Sequence, residues 1–313
     1  MKILVTGGAG FIGSHLVDRL VKDGYDVSVV DDLSSGKEMN LNPRVKFYKL
    51  DILSPSLKKI FSAKKKFDYV FHLAAQIDVR KSVENPVFDA EVNVLGSLNL
   101  LSLCLKKKPK KFIYASTGGA IYGEPDYLPA DENHPIHPNC AYGVSKHTVE
   151  HYLELFRTLY RLKYTIFRFP NVYGPRQDPN GEAGVVSIFI GRMLKGKTPF
   201  IFGDGTQLRD YLYVDDIIEA VMISLRKGDN RIYNLGSGKG SSVNELFKKL
   251  RKIIGFKKGA KYSAPRLGEV NRIYLSAERA KKELSWQSEI ELEKGLAKTV
   301  SFFRGLSQNN GRN

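Results

Sequence analysis

The chain has 313 residues, 42% hydrophobic and 26% charged, an ordinary globular balance with room for one large or two smaller domains. Lys and Arg number 49 against 33 Asp and Glu, a net charge of +16, but the lysine clusters (Lys64 to Lys66, Lys106 to Lys108, Lys257 and Lys258) lack interleaved aromatics and read as solvated surface, with neither nucleic acid nor membrane as partner. No run of about 18 apolar residues suggests a membrane span, and two cysteines, Cys104 and Cys140, make neither a disulfide framework nor a metal-ligand set, so no metal is expected and a reducing cytoplasm fits.

Lys2 to Thr6 is a short apolar, β-branched run that reads as a first strand and not as a leader peptide. It enters Gly7-Gly8-Ala9-Gly10-Phe11-Ile12-Gly13, and a helical pattern covers Phe11 to Asp23. Glycines at 7, 10 and 13 permit a tight turn, close backbone approach to a pyrophosphate and close packing of helix on strand. The helix N-terminus then offers unpaired N–H groups to the phosphates. The next strand, Asp26 to Val30, leads into Asp31 and Asp32, and Asp31 lies eighteen residues beyond Gly13. A carboxylate there accepts hydrogen bonds from an adenosine ribose and repels a 2′-phosphate, which favours NAD over NADP.

Further strands are predicted at Val45 to Leu50, Asp68 to His72, Lys111 to Ser116 and Tyr164 to Phe169, with helices at Ser56 to Phe61, Pro86 to Lys107 and Ala141 to Arg161. This alternation predicts an α/β fold: a Rossmann-type, doubly wound parallel sheet over residues 1–169, with 210–235 returning to it. From Pro170 the pattern turns to Gly- and Pro-rich loops and less regular elements, so 170–313 is expected to be mainly a smaller α/β substrate lobe. In the helix that opens at Ala141, Tyr142 and Lys146 are four residues apart and share a face. An ammonium near a phenol favours the phenolate, giving a proton partner for hydride chemistry at a carbinol carbon.

The glycine spacing, Asp51-Ile52, His72-Leu73-Ala74-Ala75, Asn93 and Tyr142-x-x-x-Lys146 together resemble the extended short-chain dehydrogenase/reductase superfamily, from Met1 to about Phe303. Within it the chain is most similar to the NAD-dependent epimerase/dehydratase family, in particular to the epimerases that act at C4 of UDP-glucose. Phe112 to Gly123 resembles the loop carrying the family's active hydroxyl, which falls at Thr117 with Ser116 beside it. The related dehydratases carry an Asp-Glu pair after that hydroxyl to protonate a leaving group, and the decarboxylases a Glu. Gly118 and Gly119 stand there in this chain, which leaves reversible oxidation and reduction as the simpler chemistry.

The resemblance implies NAD as cofactor. Gly7, Gly10, Phe11, Ile12 and Gly13 would surround its pyrophosphate, with Asp31, Asp32, Leu33, Ser34, Ser35 and Gly36 along the adenosine ribose. Asp51 and Ile52 would flank the adenine, while Leu73, Ala74, Ala75, Gln76, Asn93 and Pro170 would lie along the nicotinamide half with Tyr142 and Lys146. The substrate implied is a UDP-sugar, bound by Thr117, Tyr142, Asn171, Val185, Val186, Phe202 (packing on uracil), Arg209, Arg266 and Glu269. The activity implied is that of an isomerase of galactose and carbohydrate metabolism, which inverts C4 of a UDP-hexose by transient oxidation to a 4-keto sugar and re-reduction on its other face. Catalytic roles fall to Tyr142, Lys146, Thr117 and Ser116. The helices Pro86 to Lys107 and Ala141 to Arg161 resemble the pair that builds this superfamily's dimer interface, which implies a homodimer. An epimerase of UDP-GlcNAc or UDP-glucuronate, a dehydratase and a reductase remain open, as does, outside enzymes, an NAD-sensing or RNA-binding protein on the same fold.

Overall fold

The computed structural model describes residues 1–61, 66–179, 184–265 and 270–309. Apolar runs and amphipathic segments alternate along the first half. They form β1 (Lys2–Thr6), α1 (Phe11–Lys22), β2 (Asp26–Asp31), β3 (Lys46–Lys49), β4 (Tyr69–His72), α2 (Val79–Glu84), α3 (Pro86–Ala90), α4 (Gly96–Lys107), β5 (Lys111–Thr117), α5 (Ala141–Tyr160) and β6 (Tyr164–Phe169). The second half adds β7 (Asn171–Tyr173), α6 (Val185–Leu194), β8 (Phe200–Phe202), β9 (Leu208–Arg209), β10 (Tyr211–Tyr213), α7 (Val214–Ile223) and β11 (Arg231–Asn234). It ends with β12 (Ser241–Ser242), α8 (Val243–Ile254), β13 (Lys261–Ser263), β14 (Arg272–Ile273), α9 (Glu278–Leu284) and α10 (Leu292–Asn309).

Seven strands make one parallel sheet in the order β3-β2-β1-β4-β5-β6-β11. The chain therefore leaves this sheet after β6 and comes back to it at β11, with α7 laid against α1 on the way. Among the described residues the second half also forms three small sheets, β7 with β10, β9 between β12 and β14, and β8 with β13. Successive strand residues point to opposite faces, so Ile3 and Val5 join one core with Leu16, Val17 and Leu20 of α1, while Leu4 joins the other with Leu100 and Leu101 of α4 and Val149 and Leu153 of α5. Each such side chain contributes about 1.5–3 kcal/mol when fully buried.

Two predicted helices differ from expectation. The segment after Ser54 is a short 3₁₀ turn, Pro55–Lys59, because Pro55 opens it and the Ser54 side chain caps the Ser56 N–H, with no length left for an α-helix. Pro86–Lys107 is helical throughout but contains a π segment, Glu91–Leu95, between α3 and α4. This stretch of 22 residues is long and apolar enough to cross a membrane. Here it packs on α5 and carries three buried polar side chains, Asp89, Asn93 and Ser97.

One buried ion pair fixes α5 on the sheet. The Arg168 guanidinium on β6 donates to both oxygens of Glu150 on α5, at 3.0 and 2.6 Å, and both side chains are almost fully buried. Arg168→Met leaves an uncompensated carboxylate inside and is expected to cost about 3–5 kcal/mol. In urea denaturation the double variant Arg168→Met/Glu150→Leu should be less destabilised than Arg168→Met alone.

Candidate active site

The C-terminal ends of β1, β4 and β5 meet the N-termini of α1 and α5, the crevice in which parallel α/β sheets bind ligands. Gly7 turns with φ +73° and lies so close to β4's exit that a Cβ on it would stand 2.6 Å from the Ala74 nitrogen. A Cβ on Gly13 would run into the Gly7 carbonyl, so α1 starts tight against the turn. Gly10 caps α1 without a side-chain hydrogen bond and the first turn holds no acidic residue, which leaves N–H groups and a positive dipole end directed at the crevice with Phe11 and Ile12 half-buried beside them. A pyrophosphate fits this cradle.

Asp31 ends β2 with each oxygen fixed by the backbone: Oδ2 accepts from the Ala9 N–H and Oδ1 from Leu33 N–H, both at 2.9 Å. Burial raises its pKa, and these two bonds oppose the rise. Gly36 is required beside it, since a Cβ there would sit 2.7 Å from Asp31 Oδ1. Asp32 is exposed and its Oδ1 accepts from the Ser34 N–H and hydroxyl within the turn; Ser35 is exposed next to it. Ile52 is buried against Gly96 of α4, and Asp51 is exposed, holding the Leu53 N–H. Leu73, Ala74 and Ala75 are half-buried along β4's exit. Gln76 and Asn93 pair reciprocally: the Asn93 side chain accepts from Gln76 N–H at 2.8 Å and donates to the Gln76 carbonyl at 3.0 Å.

Thr117 ends β5 and Tyr142 opens α5, and the Thr117 hydroxyl lies near enough to the phenol to favour its ionised form. Burial raises Tyr142 above the usual tyrosine range, followed by the charge of Asp89, and Thr117 works in the other direction. Lys146 is buried, its ammonium 4.3 Å from the centre of the Tyr114 ring. Burial lowers its pKa to about 7, while Glu150 and Asp89 support the charged form. The simple expectation that Lys146 pulls Tyr142 downward is thus corrected: in the protein alone burial dominates both groups. Ser116 also departs from expectation. Its side chain points under the strand and donates to Glu150 at 2.6 Å, so only Thr117 of the two hydroxyls faces the phenol.

Gly118 and Gly119 line a crevice with Pro170, Asn171, Asp210, Ile273 and Leu275. Arg209 on β9 is half-buried and donates to the Leu208 and Asn271 carbonyls, while Phe202 ends β8, half-buried, with its carbonyl accepting from Gln207. Val185 opens α6 half-buried. Val186 is 1% exposed inside the main core, so its side chain is not a wall of the site. Arg266 and Glu269 lie outside the described residues.

The model of the NAD dependent epimerase/dehydratase family matches residues 3–236. The chain belongs to that family. A putative UDP-glucose 4-epimerase of Methanocaldococcus jannaschii is 50% identical over 302 residues, covering 96% of this chain and 98% of the relative. The UDP-glucose 4-epimerase of Mycolicibacterium smegmatis is 43% identical, covering 98% and 100%. Among solved structures, the UDP-glucose 4-epimerase of Thermotoga maritima with UDP-glucose superposes with a TM-score of 0.96 at 50% identity, covering 98% of this chain and 100% of that one. The UDP-glucose 4-epimerase of Thermus thermophilus in complex with NAD gives 0.93 at 41%, covering 97% and 99%.

In this NAD-dependent epimerase/dehydratase chain three site residues carry no motif of their own in the sequence. Asp89 is fully buried, and its Oδ1 accepts from Gln76 at 2.9 Å and Asn93 at 3.1 Å. Asn93 goes on to Ser145, whose hydroxyl donates to the Tyr142 carbonyl. Glu150 follows Lys146 by one turn, and Tyr114 supplies the ring under the ammonium. The i, i+4 step from Lys146 to Glu150 was the available clue. Gly13→Ala is expected to weaken NAD at least tenfold in calorimetric titration, whereas Gly24→Ala, at the far end of α1 with open space around it, should leave NAD affinity unchanged.

Proposed function

We propose that this protein is an isomerase that interconverts UDP-glucose and UDP-galactose, inverting C4 of the hexose through a 4-keto sugar. The observation that carries this reading is the phenol of Tyr142 held against Thr117, with Lys146 one turn on and glycines at 118 and 119. That set moves a proton at a carbinol and offers no acid to expel a hydroxyl. It is supported by relatives named UDP-glucose 4-epimerase at 43–50% identity.

NAD, when bound, accepts and returns the hydride at the sugar carbon. Tyr142 takes the C4 hydroxyl proton and gives it back. Thr117 donates to the reacting oxygen and steadies its charge. Lys146, whose charged form Glu150 and Asp89 support against burial, adds positive charge near the phenol when it is protonated. Asn171, beside Gly119, and Arg209 anchor the diphosphate half while the keto sugar turns over.

Two apolar stripes stay open to solvent: Val83, Val87, Phe88 and Leu95 on the α2–α4 side, and Val144, Leu155 and Leu159 on α5. A second copy covering these stripes makes a homodimer through the two helices. Leu95→Glu/Leu159→Glu is expected to sediment as a monomer; an unchanged sedimentation coefficient would remove this interface. Buried free thiols at Cys104 and Cys140 suit a reducing cytoplasm, and recovery of the protein in a membrane fraction would overturn that placement.

Tyr142→Phe is expected to abolish interconversion followed by NMR while sparing NAD and UDP binding; near-normal turnover would sink the mechanism. The pH profile gives a second check. The groups facing Tyr142 are Asp89, Cys140, Thr117 and, through the ring of Tyr114, Lys146. A negative charge at Asp89 opposes the phenolate, so Asp89→Asn lowers the Tyr142 pKa and moves the rising limb of kcat to lower pH. Thr117→Val removes a hydroxyl that favours the phenolate and moves the limb to higher pH, besides lowering kcat.

A further inference from the structure

Tyr114 on β5 is buried, and none of the proton-transfer steps above uses it. Its ring lies beside that of His72 on β4, with centroids 5.7 Å apart and planes inclined by 33°. His72 is itself pinned between Thr6 at 2.7 Å and Ser97 at 2.8 Å, and burial together with Lys146 keeps it neutral, at about 3. The Lys146 ammonium stands 4.3 Å from the centre of the same Tyr114 ring. The face of an aromatic ring carries negative potential. A cation within about 6 Å of its centre is attracted to it, most strongly where water is kept out. Among the described residues no hydrogen bond or ion pair reaches the Lys146 ammonium. Glu150 is taken by Ser116, Arg168 and His147, and Asp89 Oδ1 by Gln76 and Asn93. The ring is the contact that remains.

We propose that Tyr114 is a positioning residue for the reaction: the face of its ring holds the Lys146 ammonium in place and favours its charged form. The inference rests on Tyr142 and Lys146 being the proton-transfer pair of the function proposed above. A lysine head sits on a flexible four-carbon stem and, without a bonded partner, needs a surface to hold it. The ionisable groups facing Lys146 or its ring are Glu150 and Tyr142 on α5, Asp89 on α3 and His72 on β4. Burial brings Lys146 down to about 7, and the two carboxylates oppose the fall. A group balanced near neutral pH responds to any contact that distinguishes ammonium from amine. The ring face is such a contact, since a neutral amine gains little from it. The Tyr114 hydroxyl has no hydrogen-bond partner among the described residues, so the ring alone carries the role.

The test is the pH profile of kcat for UDP-galactose conversion, followed by NMR on the NAD-loaded protein. Tyr114→Phe keeps the ring and is expected to leave the falling limb, where Lys146 gives up its proton, at the same pH. Tyr114→Leu removes the ring. The limb should then move to lower pH by about one unit, with kcat at about pH 8 down about tenfold and KM unchanged. Should the smaller leucine disturb folding, Tyr114→trifluorophenylalanine keeps the ring's shape while its fluorines withdraw the negative potential from the face, and the same downward shift is expected. A trifluorophenylalanine limb that coincides with the phenylalanine limb overturns the inference. So does a phenylalanine limb shifted as far as the leucine one, which would give the role to the hydroxyl. Turnover by Tyr142→Phe would instead remove the proton-transfer pair itself, whatever the residue at 114 does.

Discussion

Everything in the site depends on how Glu150 is held. Four bonds converge on its buried carboxylate: Ser116 at 2.6 Å, Arg168 at 3.0 and 2.6 Å, and His147 at 3.0 Å. Burial alone would push its pKa up, but the bonds from His147, Arg168 and Ser116 outweigh it and bring the group down to about 2. The charge is therefore permanent, and it sits at one place on α5. That fixes the rotation of the helix about its own axis and its height over β5 and β6. Tyr142, eight residues earlier, is carried about 12 Å along the helix to the end of β5, where Thr117 waits. The same guanidinium reaches the Tyr122 hydroxyl at 2.8 Å, which donates to Asn234 on β11 at 2.8 Å. One buried polar line thus runs from α5 through β6 to β11.

Rigidity of this kind explains the protonation of the pair. Tyr142, half-buried, is pushed up and buried Lys146 is brought down to about 7, because the packing around each withholds water from its charged form. The balance favours a protonated phenol. His72 makes the same point from the other side: buried and facing Lys146, it falls to about 3 and serves as a neutral link from Thr6 to Ser97. A phenolate in such a place would be favoured by additional positive charge, which an NAD held by the glycine turn and Asp31 would supply through its nicotinamide ring.

The β-α alternation, the glycine turn with Asp31, and the Tyr142/Lys146 pair were legible because each is local: a strand period, a turn that needs no Cβ, two residues one helical turn apart. What was not legible depends on residues far apart in sequence. Ser116 and Thr117 are adjacent, and β5 alone decides which of them faces the phenol, by the alternation of its pleat. Val186 looked like a site wall and belongs to the core, since the face a helix buries is set by its partners α8 and α10. The π segment at Glu91–Leu95 has the composition of any helix. It is recognised only by what it achieves, bringing Asn93 to Gln76, Asp89 and Ser145 at once.

The two glycines after Thr117 exclude an acid for different reasons. Gly118 has no room: a Cβ there would collide with the Leu275 side chain, whose own N–H is held by Asp210. Gly119 has room, with the nearest atoms, Asn171 Oδ1 and Thr117 Oγ1, both 3.9 Å from where its Cβ would be. A side chain at 119 would start out between the Thr117 hydroxyl and the Asn171 amide. Gly118 is accordingly set by packing and Gly119 by residue choice: the fold leaves room for a side chain at 119, and this chain places no acid there.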